Sequence, residues 1–138
     1  MAALSIFDIA GSGMNAQNLR LNLVASNISN ANSVGGTAET AYKSRHPVFA
    51  AELNDAMNKQ NVSSRVKVLG VVESQAPPVM EYDPNHPLAD SKGYVFKSNV
   101  NTVEEMANML SASRSYQNNV EVLNTAKQMM LQTLKMGQ

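Results

Sequence analysis

Two histidines, His46 and His86, and the acids near them are the side chains best suited to holding a metal or moving a proton. Asp83, His86 and Asp90 fall within "DPNHPLAD", a stretch dense in turn-forming residues. Short polar side chains in such a stretch are usually spent on nearby backbone N–H groups, and no third ligand stands close to either imidazole. Glu104 and Glu105 are adjacent, so on a helix they point about 100° apart and cannot share a proton across a cleft. In the first turn of a helix they complement its dipole instead. Gly11-Ser12-Gly13 lacks the third glycine of a phosphate-cradling frame and follows no strand. With no cysteine in the chain, thiolate nucleophiles, disulfides and Cys-based zinc sites are excluded. The residues therefore supply no catalytic set, and no cofactor, metal or small-molecule substrate is expected.

The elements that carry these residues are more informative. The 138 residues suit a single domain-sized unit, with 43% apolar content but only 5% aromatic and no Trp. Leu, Val, Ala and nine Met make up most of the apolar content, which fits long helix seams better than a round core. Lys and Arg together number 11, as do Asp and Glu, so the net charge is zero. That balance argues against a nucleic-acid partner or an anionic membrane surface, and it fits a chain meant to associate. The N-terminal stretch has neither the basic n-region nor the unbroken apolar run of a secretory signal, since Asp8 and Gly11 interrupt it. The expectation is a chain exported, if at all, by a route that reads no such peptide.

Phe7, Ala10, Met14, Gln17, Leu21, Val24 and Ile28 recur at spacings of 3, 4, 3, 4, 3, 4, a heptad seam that predicts a helix over residues 4–30. Ser5 and Asp8 have capping-box spacing. Gly11 and Gly13 weaken the first turns by up to about 1 kcal/mol each. Asp8 and Arg20 are the only charges among residues 1–34, so this helix is expected to be covered on more than one side. A second helix is predicted from Thr102 to Met136, capped by Asn101 or Thr102 and ending at Lys135 and Gly137. Its seam is Met106, Met109, Ser113, Tyr116, Val120, Leu123, Lys127, Met130 and Leu134. Between the helices, Gly35-Gly36 stops any helical run, Val48-Phe49 anchors an extended piece after Pro47, and residues 50–60 read as polar helix or loop. "RVKVLGVVE", residues 65–73, is the clearest strand, with residues 78–82 pairing with it or running beside it, and "KGYVF" is a short extended piece.

The expected fold class is mainly α: long N- and C-terminal helices packed as an antiparallel coiled-coil pair, with a small irregular or β segment between them. The corresponding division is residues 1–34, 35–98 and 99–138. Gln17 and Lys127 sit at seam positions, where polar side chains set register or partner. Asn15, Asn18, Asn22, Asn27, Asn30 and Asn32 are dense for a poor helix former, and their amides can bond identical neighbours without charge repulsion. A Met-lined groove for a partner helix, as in a soluble adaptor, stays open on these residues. A small wall-cleaving enzyme fits less well, for want of two carboxylates across a cleft.

"VASNISNANS", residues 24–33, resembles the N-terminal signature of the flagellar axial proteins, the rod, hook and hook-associated subunits, with Ala25, Asn27, Ile28, Asn30, Ala31 and Asn32 matching. "GGTAETAYKSRHPVF", "DPNHPLADSKGYV" and "NVNTVEEMANMLSASRSYQNNVEVLNTAKQMM" are similar to the subunits of the proximal rod within that family, so the likeness covers nearly the whole chain. Ser98 departs from the family's usual Pro, which implies a less rigid start to the last helix. The resemblance implies a structural subunit of the periplasmic basal-body rod, exported by the flagellar type III apparatus without a cleaved signal. Its partners would be copies of itself, other rod proteins, and membrane-ring and distal-rod subunits, the terminal helices lining the export channel. The assembly residues it implies are Phe7, Met14, Gln17, Leu21, Val24, Asn27, Ile28, Asn30, Asn32, Met106, Met109, Tyr116, Val120, Leu123, Lys127, Met130 and Leu134.

Overall fold

The computed structural model describes residues 2–53 and 64–137. The chain runs α1 (Ala2–Ser29), β1 (Val34–Gly35), β2 (Arg45–Leu53), β3 (Ser64–Glu73), β4 (Val79–Tyr82), β5 (Tyr94–Lys97) and α2 (Thr102–Met136). At about 1.5 Å per residue the two helices are roughly 42 and 52 Å long. α2 begins where its residues predict, because the Asn101 side chain accepts from the backbone N–H groups of Val103 and Glu104, two of the donors left open by a helix start. α1 begins at Ala2, so the expected cap at Ser5 lies inside the helix rather than at its edge.

The helices run antiparallel. The Arg20 guanidinium donates to Asn108 Oδ1 at 2.9 Å, while Ile6 at the other end lines a cavity with Val122 and Ala126. The line of contact on α1 passes through Ile6, Ala10, Gly13, Arg20 and Val24, and on α2 through Glu105, Asn108, Ala112, Asn119, Val122 and Ala126. A Cβ placed on Gly13 would lie 2.9 Å from Asn119 Nδ2, so glycine here lets the second helix come close.

This corrects the expected fold class. The molecule mixes α and β, with two helices beside a sizeable antiparallel β region, and the contact between the helices is not shown to be a coiled coil. On α2 the contact line is displaced by one residue from the expected Met106–Leu134 seam. Small and polar side chains supply most of the contact, beside Ile6, Val24 and Val122, while Met106, Leu110 and Leu134 stand exposed. The β content is larger than expected because β2 and β3 are long. They pair antiparallel from Arg45 opposite Glu73 to Leu53 opposite Ser64, with an irregularity between Val48 and Phe49. Residues 50–53, expected as helix or loop, continue the strand, and the rest of that expectation lies outside the described residues. Pro47 is accommodated because β2 is bonded on one side only, where a missing N–H removes nothing from a second ladder.

The hairpin lies along α1, with the Val66 N–H donating to Ser12 Oγ near its tip and Arg45 bonded to Asn27 near its base. α1 is thus covered by α2 and by the hairpin, as its lack of charge predicts. β4 does not pair with β3. It joins a separate antiparallel sheet in the order β1-β5-β4, with Tyr82 opposite Tyr94 and Val79 opposite Lys97. The turn at residues 83–93 brings β5 back to β4 and is held by its own backbone bonds, the Asp83 N–H donating to the Gly93 carbonyl at 3.0 Å.

That turn contains the acid and histidine cluster, and its side chains bond to backbone. Asp83 Oδ1 accepts from Asn85 N at 3.3 Å and His86 Nδ1 from Leu88 N at 3.1 Å. Asp90 Oδ1 accepts from Lys92 N and Tyr94 N, each at 2.8 Å. Gly93 closes the turn at φ 81°, a conformation that costs glycine least. The Tyr94 N–H bond, with help from Lys92 and Gly93, holds the Asp90 carboxyl below its ordinary value of 3.8, against a smaller opposing push from desolvation. A lowered folded value means the unfolded chain takes the proton more readily. The turn therefore keeps its full contribution above the ordinary value and loses it as pH falls through the folded one. The amide signals of Lys92 and Tyr94 should shift together on acidification into that range, and Asp90→Asn should abolish the shift.

Candidate assembly surface

A clasp of hydrogen bonds closes one end of the helix pair. Asn27 is fully buried, at 0% exposure. Its Oδ1 accepts from the Arg45 N–H and from the Tyr42 hydroxyl, both at 2.9 Å, and its Nδ2 donates to the Arg45 carbonyl at 2.9 Å. Ser44 N donates to Asn99 Oδ1 at 2.8 Å, and Asn99 Nδ2 donates to the Ala76 carbonyl at 2.8 Å. Ser98 N donates to the Ser33 carbonyl at 3.3 Å, and Ser98 Oγ accepts from Val100 N at 3.1 Å. A proline at position 98 could not make the first bond. The start of α2 is thus tied down by the serine itself, in place of a rigid ring.

Where the clasp uses polar side chains, the rest of the core uses small ones. Among the described residues the buried apolar side chains are Ala10, Ala16, Val24, Ala31, Ala41, Val95 and Ala112. Against these five alanines and two valines stand large exposed apolar groups on α2. Met106 is 59% exposed, Leu110 55%, Met129 64% and Leu134 69%, with Val103, Leu131 and Met136 also exposed. A cavity of about 410 Å³ opens beside Ile6, Val122, Ala126 and Met129, where α1 starts and α2 continues past it. The hairpin adds Leu69, Val71 and Val72, and the small sheet adds Val79, Met80 and Tyr82. So much apolar surface on a small chain marks sites of association.

The residues expected at assembly contacts divide by placement. Val24 and Asn27 are buried within the chain. Phe7, Met14, Gln17, Leu21, Ile28, Asn30, Met109, Val120, Leu123 and Met130 are half-buried. Asn32, Met106, Tyr116, Lys127 and Leu134 are exposed. Gln17 Oε1 is buried with no hydrogen-bond partner among the described residues. Asn30 Nδ2 donates to the Ser26 carbonyl at 2.8 Å, serving the end of α1. Leu110 and Leu131 fall between the heptad positions of the expected seam. Seam spacing alone does not say which of two neighbouring stripes faces the other helix.

Glu105 is buried, with Oε1 4.0 Å from His46 Nδ1 at the junction of β2 and α2. This approach joins the hairpin base to the second helix. Among the described residues no group of three or more His, Cys, Asp or Glu could hold a metal, and no helix is long and apolar enough to cross a membrane.

Two family descriptions match the two ends of the chain. One for flagella basal body rod proteins matches residues 7–36, and one for the C-terminal part of flagellar basal body rod FlgEFG proteins matches residues 91–136. The chain is 54% identical to the flagellar basal-body rod protein FlgC of Escherichia coli O6:H1, over 138 residues that cover all of both chains. Its identity to FlgC of Salmonella typhimurium strain LT2 is also 54% with full coverage, and to that of Yersinia enterocolitica 47% with full coverage. With terminal helices, an exposed apolar α2 and full-length identity of this level, the chain belongs to the FlgC family of flagellar basal-body rod proteins.

Proposed function

We propose that this chain is a structural, non-enzymatic subunit of the proximal rod of the bacterial flagellum. Residues 1–34 and 99–138 form the core layer around the export channel, and residues 35–98 lie outside it. Neighbouring copies, other rod proteins, and the membrane-ring and distal-rod subunits cover the exposed faces of α1 and α2. The subunit reaches its place through the flagellar type III apparatus, in the periplasm, without a cleaved signal. The contact residues are those that the helices leave exposed or half-buried, from Phe7 to Ile28 and from Met106 to Leu134, joined by Leu110 and Leu131.

The observation that carries this reading is the mismatch between a core of alanines and valines and the large side chains left outside. Covering a Leu or Met stabilises by about 1.5–3 kcal/mol. Each such residue covered by a neighbour therefore outweighs the burial of an alanine inside the subunit. Folding and assembly are coupled as a result: the helices are weakly held alone and gain most of their stability from contacts with other subunits. Torque is then carried by many modest helix contacts acting in parallel.

Hydrogen exchange and circular dichroism on the purified chain in dilute solution test the coupling. Residues 2–20 and 122–136, which lie away from the clasp, should exchange at rates near those of an unstructured peptide. Stable protection of both segments in the lone chain would overturn it. Imaging of isolated basal bodies, with the subunit located within the rod, tests its place.

A further inference from the structure

We propose that α2 carries two oxidation-sensitive positions, Met106 and Met129, at which sulfoxide formation by a peroxide in the free subunit blocks its incorporation into the rod. The proposal rests on the assembly reading, since it needs these side chains to be open in the free chain and covered afterwards. The chain has no cysteine, so thioethers are its only oxidisable sulfur. Met106 and Met129 are 59% and 64% exposed, whereas Met109 is half-buried on the same helix; Met80 on β4 and Met136 at the helix end are open too, but neither adjoins the contact of the two helices. Met106 stands one helical turn from Leu110 on the outer face of α2. Met129 forms part of the wall of the 410 Å³ cavity beside Ile6, Val122 and Ala126.

The chemistry is simple and balanced. The thioether sulfur attacks one peroxide oxygen and the O–O bond breaks. The sulfur gains a bond to oxygen and is oxidised by two electrons, while the peroxide is reduced to water, or to an alcohol for an organic peroxide. The product is a polar, chiral side chain with a strong acceptor oxygen in place of a flexible apolar one. In the free subunit both positions are solvated, so the sulfoxide costs the fold little. In an apolar contact its oxygen would be stripped of water with no donor supplied. Oxidation thus weakens the assembled state selectively.

Purified full-length chain and isolated basal bodies are each exposed to dilute hydrogen peroxide, digested, and read for sulfoxide at each methionine by mass spectrometry. In the free chain Met106 and Met129 should oxidise at least about threefold faster than Met109, as exposure dictates. In basal bodies the same two should be slowed at least about tenfold. Equal rates in the free chain overturn the site itself. Fast oxidation in the free chain without protection in basal bodies overturns the assembly reading at these positions, and the block with it. The double variant Met106→Gln with Met129→Gln, a polar mimic of the sulfoxide, should retain the far-ultraviolet dichroism of the parent and lose swimming. Met106→Leu with Met129→Leu should swim and keep regrowing flagella in peroxide. Normal swimming by the glutamine variant, or peroxide sensitivity of the leucine variant equal to that of the parent, would overturn the block.

Discussion

Leu110→Asp is expected to abolish swimming while leaving the isolated subunit as stable as the parent. Leu110 is 55% exposed on α2, so aspartate there costs the lone chain only its lower helix propensity, about 0.5 kcal/mol. In a helix contact the same carboxylate is desolvated without a partner, at a cost of several kcal/mol. Each 1.4 kcal/mol is about tenfold in a binding constant, so the contact weakens by at least about a hundredfold. Leu110→Met, which keeps size and polarity, should swim. Leu21→Asp and Leu123→Asp should abolish motility too, but both side chains are half-buried, so their loss mixes the subunit's own fold with its contacts. Complementation on soft agar, beside a thermal melt of each purified variant, separates the two. Normal swimming by Leu110→Asp would show that this face of α2 meets no other subunit.

Asn27→Ala acts in the opposite way, on the subunit itself. Three hydrogen bonds of 2.9 Å converge on its buried amide, two accepted by Oδ1 and one donated by Nδ2. Alanine leaves the Arg45 N–H, the Arg45 carbonyl and the Tyr42 hydroxyl without that partner. An unsatisfied buried polar group costs about 1–3 kcal/mol, so a loss of about 3–5 kcal/mol is expected. For a chain of this size that lowers the melting temperature by roughly 10 °C or more. Asn27→Asp should be little better. It keeps the two acceptor bonds but turns a second carboxylate oxygen toward the Arg45 carbonyl. A urea titration followed by circular dichroism measures both. A loss under about 1 kcal/mol for the alanine variant would mean that the base of the hairpin finds other partners.

The contrast between these two sites shows how much of the molecule its residues announce. Thr102–Met136 with its Asn101 cap, the strand at 65–73 and the turn at 83–90 are all local. Periodicity, β-branching and turn chemistry decide them within a few residues of chain. The phase of the helix pair is not local. Methionines and leucines attract attention as seam residues, yet Gly13 and Ala112 are what let the helices approach, and small side chains leave only a faint periodic signal. The partner of β4 depends on which strand the following turn returns to it. The length of β2 was hidden by polar residues after Phe49 that alternate too weakly to read as a strand. Asn27 could be singled out only as one asparagine among many. The signal that sets it apart is its place on the stripe Ala10, Val24, Ala31, where an amide would be wasteful unless a backbone were waiting for it.

The bonds around residues 98–101 have a consequence in time. Ser33, Ser44 and Ala76 each find their partner in Ser98 or Asn99, more than twenty residues downstream in every case. A chain supplied from its N-terminus therefore has nothing to latch onto at these places until about two thirds of it has arrived. The β2–β3 hairpin and the bonds of Asn27 to Tyr42 and Arg45 lie wholly upstream and can close earlier, but the segments ending at Ser33, Ser44 and Ala76 stay open there. The last third then supplies the partners that close this end of the subunit.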